Sequence, residues 1–248
     1  MERYYINTMG NDDDAYREAM QFACELVNNG MEVGTVILLA RTKRTVGWLK
    51  RLYGDDVVKK LFTGVKFENC LPTFLIQTVR SYTNFTATSD IVIAMGLDDG
   101  DLMKLDDYDE VKAIISIPWL RENVQRWVST WSPTEIRTNQ QAERFPSPEP
   151  VVQIALRELT SNINLSTGIH HGHDNDRAKM YIRALNKYST LDGNTVMAFL
   201  VRELGWDSDH ANDVKKLIDT LNAGKYFQGG QRTGLKNYYK RWQKKVGN

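Results

Sequence analysis

Val33-Gly34-Thr35-Val36-Ile37-Leu38-Leu39-Ala40 is a nearly unbroken run of β-branched and aliphatic residues. A strand that is covered on both faces has this composition, because each face needs apolar side chains. Residues 90–97 and 111–117 form two further runs of the same kind. Segments with helical spacing lie between the runs, so strands and helices alternate along the chain. This alternation predicts an α/β fold, with a Rossmann-like, mainly parallel sheet of four or five strands and helices on both faces.

A change in composition divides the chain after residue 132. Four of the six prolines fall in the next eighteen residues, at Pro133, Pro146, Pro148 and Pro150. Clustered prolines interrupt helices and strands and are typical of loops and linkers. Beyond them, apolar residues recur only at helical spacing. The sequence therefore predicts an α/β domain over residues 1–132, a linker over 133–150 and a smaller all-helical domain over 151–248.

The composition indicates an ordinary globular protein. Of the 248 residues, 42% are hydrophobic and 25% are charged, which excludes disordered and fibrous classes. The two cysteines, Cys24 and Cys70, have no metal-binding or redox spacing, and Cys24 is expected to be a small buried hydrophobe. No signal pattern occurs, and no stretch approaches the ~20 apolar residues of a membrane span. We expect a cytoplasmic protein without a membrane partner.

Asn164-Leu165-Ser166-Thr167-Gly168, followed by His171, forms the most distinctive motif of the chain. Together with Ile117-Pro118-Trp119 and Gly205-Trp206, it resembles a family of uncharacterised bacterial proteins. The resemblance implies an α/β part followed by a helical part, and no assigned activity. The sequence departs from the family pattern at His171-Gly172-His173-Asp174-Asn175, where His-Pro-Ser-Asp and a basic residue are expected.

Two loops at the predicted sheet edge could bind phosphate. The first follows the apolar run at residues 3–8, and the second follows the run at 33–40. In parallel α/β sheets such loops meet helix N-termini, where anions bind. The pattern is neither a dinucleotide fingerprint nor a Walker loop, and basic residues after a strand are also common on solvated surfaces. The candidate ligand-binding residues are Thr8, Gly10, Asn11, Arg41, Lys43 and Arg44.

Residues 164–177, the histidine loop, hold three of the four histidines. In the ligand-binding hypothesis this loop closes over the sheet edge, with Ser166, Thr167 and His171 as further contacts. His171, His173 and Asp174 also belong to the residue types that ligate transition metals. Ligands so close in sequence cannot all face one ion, so a metal site is not favoured; Asp174 or Asp176 would instead cap a helix beginning near Arg177. No cofactor is identified.

The tail, residues 225–248, has seven basic residues and no acidic one, so the rest of the chain sums to −6 against a total of +1. Aromatic residues, including Trp242, alternate with these charges, as phosphate contact plus base stacking requires. The alternative is a helix whose aromatic residues pack on a core and leave the lysines in water. The candidate nucleic-acid contacts are Lys225, Arg232, Lys236, Lys240, Arg241, Trp242, Lys244 and Lys245.

No standard catalytic motif stands out, which disfavours an enzyme without excluding one. We expect a non-catalytic binding or regulatory protein whose tail contacts nucleic acid or an acidic protein surface. One alternative is an enzyme that binds a nucleotide or phosphate ligand at the loop edge of the sheet. A second alternative is a structural protein-interaction module.

Overall fold

A computed structural model of the chain describes residues 1–10, 12–68 and 70–247. The chain forms two compact units, Met1–Glu143 and Arg144–Asn248. The first, the α/β unit, is built on a mostly parallel sheet, and the second, the helical unit, contains helices. The predicted fold class is therefore confirmed.

The α/β unit contains a sheet with seven strands among the described residues, rather than the four or five that we predicted. Its elements in chain order are β1 (Glu2–Tyr5), α1 (Asp13–Asn28), β2 (Thr35–Ala40), α2 (Leu49–Tyr53), α3 (Asp55–Leu61), β3 (Thr73–Thr78), β4 (Asp90–Met95), α4 (Asp99–Asp106), β5 (Val111–Ile117), α5 (Gln125–Trp131), β6 (Thr134–Glu135) and β7 (Gln140–Gln141). The strand order is β3-β2-β4-β5-β1-β6-β7, and only β7 pairs antiparallel.

The three apolar runs form the centre of this sheet as β2, β4 and β5. Alternate residues of each strand point to opposite faces, and both faces are buried. Val36, Ile91 and Ile115 pack in one cluster with residues of α1 and α3. Trp127 of α5 and Leu102 of α4 are buried outside that cluster. Helices thus cover both faces, which explains why these strands are apolar throughout.

The order of the strands creates a crevice between β2 and β4. The chain leaves β2 toward β3 on one side, and it leaves β4 toward β5 on the other side. The loops after these neighbouring strands therefore diverge at the carboxyl edge of the sheet. Parallel α/β sheets bind their ligands at such a point.

A disulfide joins Cys24 in α1 to Cys70, which precedes β3, with a Cα–Cα distance of 5.4 Å. Our expectation of Cys24 as an unbonded, buried hydrophobe is wrong. The two cysteines are 46 residues apart in sequence, and a spacing of that length does not indicate that two cysteines are bonded. Only the packing of α1 against the sheet brings them together.

The predicted linker contains part of the sheet. β6 pairs in parallel with β1, and β7 pairs with β6. The carboxylate of Glu135 in β6 is buried and accepts hydrogen bonds from the backbone N–H groups of Asn7, at 3.2 Å, and Thr138, at 2.6 Å. The α/β unit accordingly extends to Glu143, past Pro133 but before the other three prolines of the predicted linker.

The helical unit comprises α6 (Pro150–Thr160), α7 (Gly172–Tyr188), α8 (Gly193–Leu204), α9 (Ser208–Asn222) and α10 (Leu235–Val246). Helix α7 begins at Gly172, with His171 as its N-cap residue, rather than near Arg177 as we expected. Asp174 and Asp176 therefore lie inside the helix and do not cap it. Helix α8 is capped by Asp192, which accepts from Thr195 N at 2.7 Å. Among the described residues no helix has the length and apolar character needed to cross a bilayer.

Candidate functional site

A cleft of about 440 Å³ opens at the carboxyl edge of the sheet. Its walls come from α1 and from the segments that follow β2, β4 and β5, so it lies at the divergence of the loops. The volume is within the range of pockets that hold small molecules. The lining residues are Tyr16, Arg41, Arg44, Trp48, Met95, Gly96, Asp98, Trp119 and Asn123.

Three aromatic side chains form much of the cleft wall. Tyr16 is buried and packs on Trp48, with ring centroids 3.9 Å apart and planes inclined by 41°. Burial, together with the nearby carboxylate of Asp12, raises the pKa of Tyr16 to about 12, so its phenol stays neutral. Trp119 keeps 47% of its surface exposed. Exposed aromatic faces of this kind accept planar rings by stacking.

Two arginines bring positive charge to the same cleft. Arg41 donates hydrogen bonds to Asp98, at 2.5 Å, and Asp101, at 2.7 Å, and these carboxylates hold the pKa of Arg41 above its usual range. Asp98 also accepts from the backbone N–H of Gly100 and thereby caps α4. Arg44 is exposed and forms no ion pair within the described residues. Arg41 is thus oriented at the rim, while Arg44 is available to a ligand.

Gly96 shapes the cleft where the chain leaves β4. Its φ of +63° is in the left-handed region, which glycine adopts without the cost that a β-carbon imposes. Its N–H donates to Ile117 O at 2.8 Å, so the turn is anchored to the end of β5. The sharp turn exposes backbone beside Trp119.

The predicted phosphate site after β1 is engaged in internal contacts. Thr8 is buried and donates to Asp12 at 2.7 Å, and the N–H of Gly10 donates to Trp119 O at 2.7 Å. Asp12 caps α1 by accepting from Ala15 N. A carboxylate thus occupies the helix N-terminus, where a phosphate would have to bind. Asn11 lies outside the described residues.

The loop after β2 contributes two of its three predicted residues to the cleft. Arg41 and Arg44 line it, whereas the ammonium of Lys43 lies over the ring of Phe62, 5.6 Å from its centroid. Strands β4 and β5 separate β1 from β2, and neither Thr8 nor Gly10 lines the cleft. Sequence reasoning did not identify Tyr16, Trp48, Trp119 or Asn123. The signal for Trp119 was present, because it follows Pro118 at the end of a buried strand.

The histidine loop belongs to the helical unit and is held by its own polar groups. The hydroxyl of Ser166 donates to the side chain of Asn164 at 2.8 Å, and that of Thr167 donates to Asn164 O at 3.3 Å. Gly168 has a φ of +54°, and a β-carbon there would lie 2.6 Å from the ring of His210. His171 is the exposed N-cap residue of α7. These contacts give Asn164, Ser166, Thr167 and Gly168 roles in the backbone geometry of the loop.

The metal ligands considered in this loop do not converge. His171 and His173 are exposed, and Asp174 accepts from Asn164 N at 3.3 Å. His170 instead bonds to Asp213 at 2.7 Å. Within residues 1–10, 12–68 and 70–247, no three His, Cys, Asp or Glu side chains are grouped to hold a metal ion.

Helix α10 packs on α6 and α7 through the aromatic residues of the tail. Trp242 is completely buried, and its ring centroid lies 4.9 Å from that of Tyr181. The hydroxyl of Tyr239 is 2.9 Å from that of Ser189. Trp242 therefore has no exposed face on which a base could stack, and we remove it from the candidate contacts.

Two basic residues of the tail form ion pairs with Glu158. Arg241 bonds to its carboxylate, Lys245 does so at 2.8 Å, and the hydroxyl of Tyr181 donates to it at 2.7 Å. Partial burial acts to raise the pKa of Glu158, but the hydrogen bonds from Lys245 and Tyr181 lower it to about 2. The other basic candidates in the tail are exposed: Lys225, Arg232, Lys236, Lys240 and Lys244.

Residues 148–243 match the family model described as a domain of unknown function, DUF1889. The match spans α6 to α9 and most of α10, and it includes the histidine loop. The predicted relation to an uncharacterised family is thus confirmed for this region, whereas the α/β unit lies outside the match. No curated protein and no solved structure matches the chain.

Proposed function

We propose that the α/β unit binds a nucleotide, or a similar phosphate that carries a heteroaromatic ring, in the cleft at the ends of β2, β4 and β5. One observation supports this proposal above all. Exposed aromatic surface and two arginines line the same cleft, so a single ligand could contact both. Neither group alone would distinguish a nucleotide from other ligands.

The aromatic wall suits the ring of such a ligand. Trp119 is exposed, and the packing of Tyr16 on Trp48 fixes another part of the wall before a ligand arrives. Stacking of a base on an aromatic side chain is worth about 1–3 kcal/mol. The amide of Asn123 can both donate and accept hydrogen bonds, so it could recognise the edge of a ring.

The arginines suit the phosphate. A guanidinium is planar and binds phosphate oxygens with two parallel hydrogen bonds. Arg44 can bind phosphate without breaking an ion pair, because no described residue forms one with it. Arg41 would have to share its donors with Asp98 and Asp101. Arg44 is therefore the primary phosphate contact in this proposal.

Removing either the ring contact or the phosphate contact should weaken binding of ATP or GTP. Stacking and charge-assisted hydrogen bonds each contribute about 1–3 kcal/mol, so Trp119→Ala and Arg44→Gln should each raise Kd about fivefold to a hundredfold. Titration calorimetry measures both values, and the fluorescence of the cleft tryptophans reports the same binding independently. Pyrophosphate should lose affinity with Arg44→Gln alone.

Matched controls use exposed residues of the same unit that do not line the cleft. Phe85 is fully exposed and Arg80 is exposed, so Phe85→Ala and Arg80→Gln should leave Kd unchanged. Absence of nucleotide binding by the unaltered protein would refute the proposal. Equal losses in the control and cleft variants would do so as well.

A further inference from the structure

The two units carry net charges of opposite sign. The helical unit has sixteen basic and ten acidic residues, a net charge of +6, whereas the α/β unit has sixteen basic and twenty-one acidic residues, a net charge of −5. The positive charge is concentrated in the tail, which contains no acidic residue. Any anionic macromolecule that meets this protein would be attracted to the helical unit.

Lys236, Lys240 and Lys244, the lysine row, occupy one face of α10. They are four residues apart, so adjacent members have Cβ atoms about 5–6 Å apart along the helix. All three are exposed, and none forms an ion pair in the part of the chain that the structure describes. They differ in this from Arg241 and Lys245, which both form ion pairs with Glu158. The row is an uncompensated line of positive charge.

The segment before α10 is held in place by α7. Arg183 donates to Phe227 O and to Gly229 O, each at 2.7 Å, and its guanidinium lies over the ring of Phe227, 4.4 Å from the centroid. Asp176 accepts from Gly230 N at 2.6 Å. These bonds fix a segment that its glycines would otherwise leave free to move.

Tyr226 is displayed on this held segment. It is 90% exposed, although its neighbour Phe227 packs under Arg183, and it follows the exposed Lys225. An exposed aromatic ring beside cations is the combination that binds unpaired bases, because the ring stacks and the cations contact phosphates.

We propose that the helical unit binds single-stranded nucleic acid through the lysine row and through Lys225 and Tyr226 on the segment before α10. Single-stranded nucleic acid suits these residues better than an acidic protein does, because the exposed ring of Tyr226 offers a stacking face, whereas Trp242, the large aromatic residue of α10, is buried and cannot anchor a protein partner. Single strands are preferred to duplexes, since only they expose base faces to Tyr226. The surface belongs to the helical unit and is independent of the cleft proposed above.

The test measures binding of labelled oligothymidylate of about 20 nucleotides by fluorescence anisotropy over a range of salt. Affinity should fall as salt rises, by about 0.7 in log K per log salt for each phosphate neutralised. Replacing the three lysines of the row with glutamine should weaken binding and reduce that slope by about 2. Tyr226→Ala should weaken binding about fivefold to a hundredfold.

A matched control removes the same charge from the other unit. Lys59, Lys60 and Lys66 are exposed, and their replacement with glutamine should leave the slope unchanged. The proposal is overturned if the unaltered protein does not bind at about 50 mM salt, or if this control weakens binding as much as the lysine-row variant. It is also overturned if polyglutamate competes as well as unlabelled oligothymidylate, or if Tyr226→Ala has no effect, since either result indicates an acidic partner without bases.

Discussion

Replacing Trp242 with alanine is expected to lower the free energy of unfolding of the helical unit by about 3–5 kcal/mol. The side chain is completely buried, so the substitution removes a large apolar surface and leaves a cavity among α6, α7 and α10. The loss should appear as a lower midpoint of urea denaturation, followed by far-ultraviolet circular dichroism.

Two further variants show whether this loss comes from packing. Trp242→Phe keeps an aromatic ring in contact with Tyr181 and should cost clearly less than alanine. Tyr226→Ala changes an exposed residue of the tail and should leave the midpoint unchanged. A Trp242→Ala protein as stable as the parent would show that α10 is not docked as described, and would return Trp242 to the nucleic-acid contacts.

Replacing Arg3 with leucine is expected to destabilise the α/β unit by about 3–5 kcal/mol at pH 8. Arg3 Nε bonds to Asp106 at 2.6 Å, and the Asp106 side chain is only 1% exposed. The same carboxylate accepts from Trp127 Nε1 at 2.5 Å. Without the Arg3 guanidinium, the buried carboxylate of Asp106 keeps one neutral hydrogen-bond donor, Trp127 Nε1, and has lost the cation that pairs with it. Guanidinium denaturation at pH 8 measures the cost.

The loss of stability caused by Arg3→Leu should be smaller at low pH than at high pH. Burial raises the pKa of Asp106 to about 6, although Arg3 acts to lower it. Because the folded-state pKa lies above the ordinary value of about 3.9, protonation favours the folded state, and this group's contribution declines as pH rises from about 4 to 6. Removing Arg3 raises the folded-state pKa further. The Arg3→Leu protein should therefore lose less stability at pH 5 than at pH 8.

A double variant identifies the buried charge as the cause. Asp106→Asn removes the charge and retains an oxygen that can accept from Trp127 Nε1. Combined with Arg3→Leu, it should recover much of the stability lost at pH 8, because neither charge then remains buried. Arg3 also lies over the ring of Trp131, 3.7 Å from its centroid, so recovery should be incomplete. A loss that is equal at both pH values would contradict this account.

The sequence predicts the centre of the sheet well and its margins poorly, for a physical reason. Strands β2, β4 and β5 are buried on both faces, so nearly every residue must be apolar and the pattern is unambiguous. Strand β6 has two residues, Thr134 and Glu135, and is held by pairing with β1. Pairing of backbone groups leaves little trace in side-chain composition, and the adjacent prolines indicated a linker instead.

The cleft was predicted only in part, since its residues come from distant segments. Arg41 and Arg44 follow a recognisable strand, and both line the cleft at the carboxyl edge, where ligands bind in sheets of this kind. Tyr16 lies on the apolar face of α1, where its spacing matches ordinary core packing. Strand order determines which loops lie close enough to share a site. It follows from packing among the elements and not from a local sequence pattern, so the sequence did not predict it.

The opposite charges of the two units have a consequence for the protein as a solute. A chain with a net charge of +1 lacks the long-range repulsion that keeps highly charged proteins apart. In dilute buffer, where the Debye length is about 30 Å at 0.01 M ionic strength, the acidic unit of one molecule attracts the basic unit of another. Added salt screens this attraction, so the protein should salt in, dispersing at moderate ionic strength and associating when salt is removed.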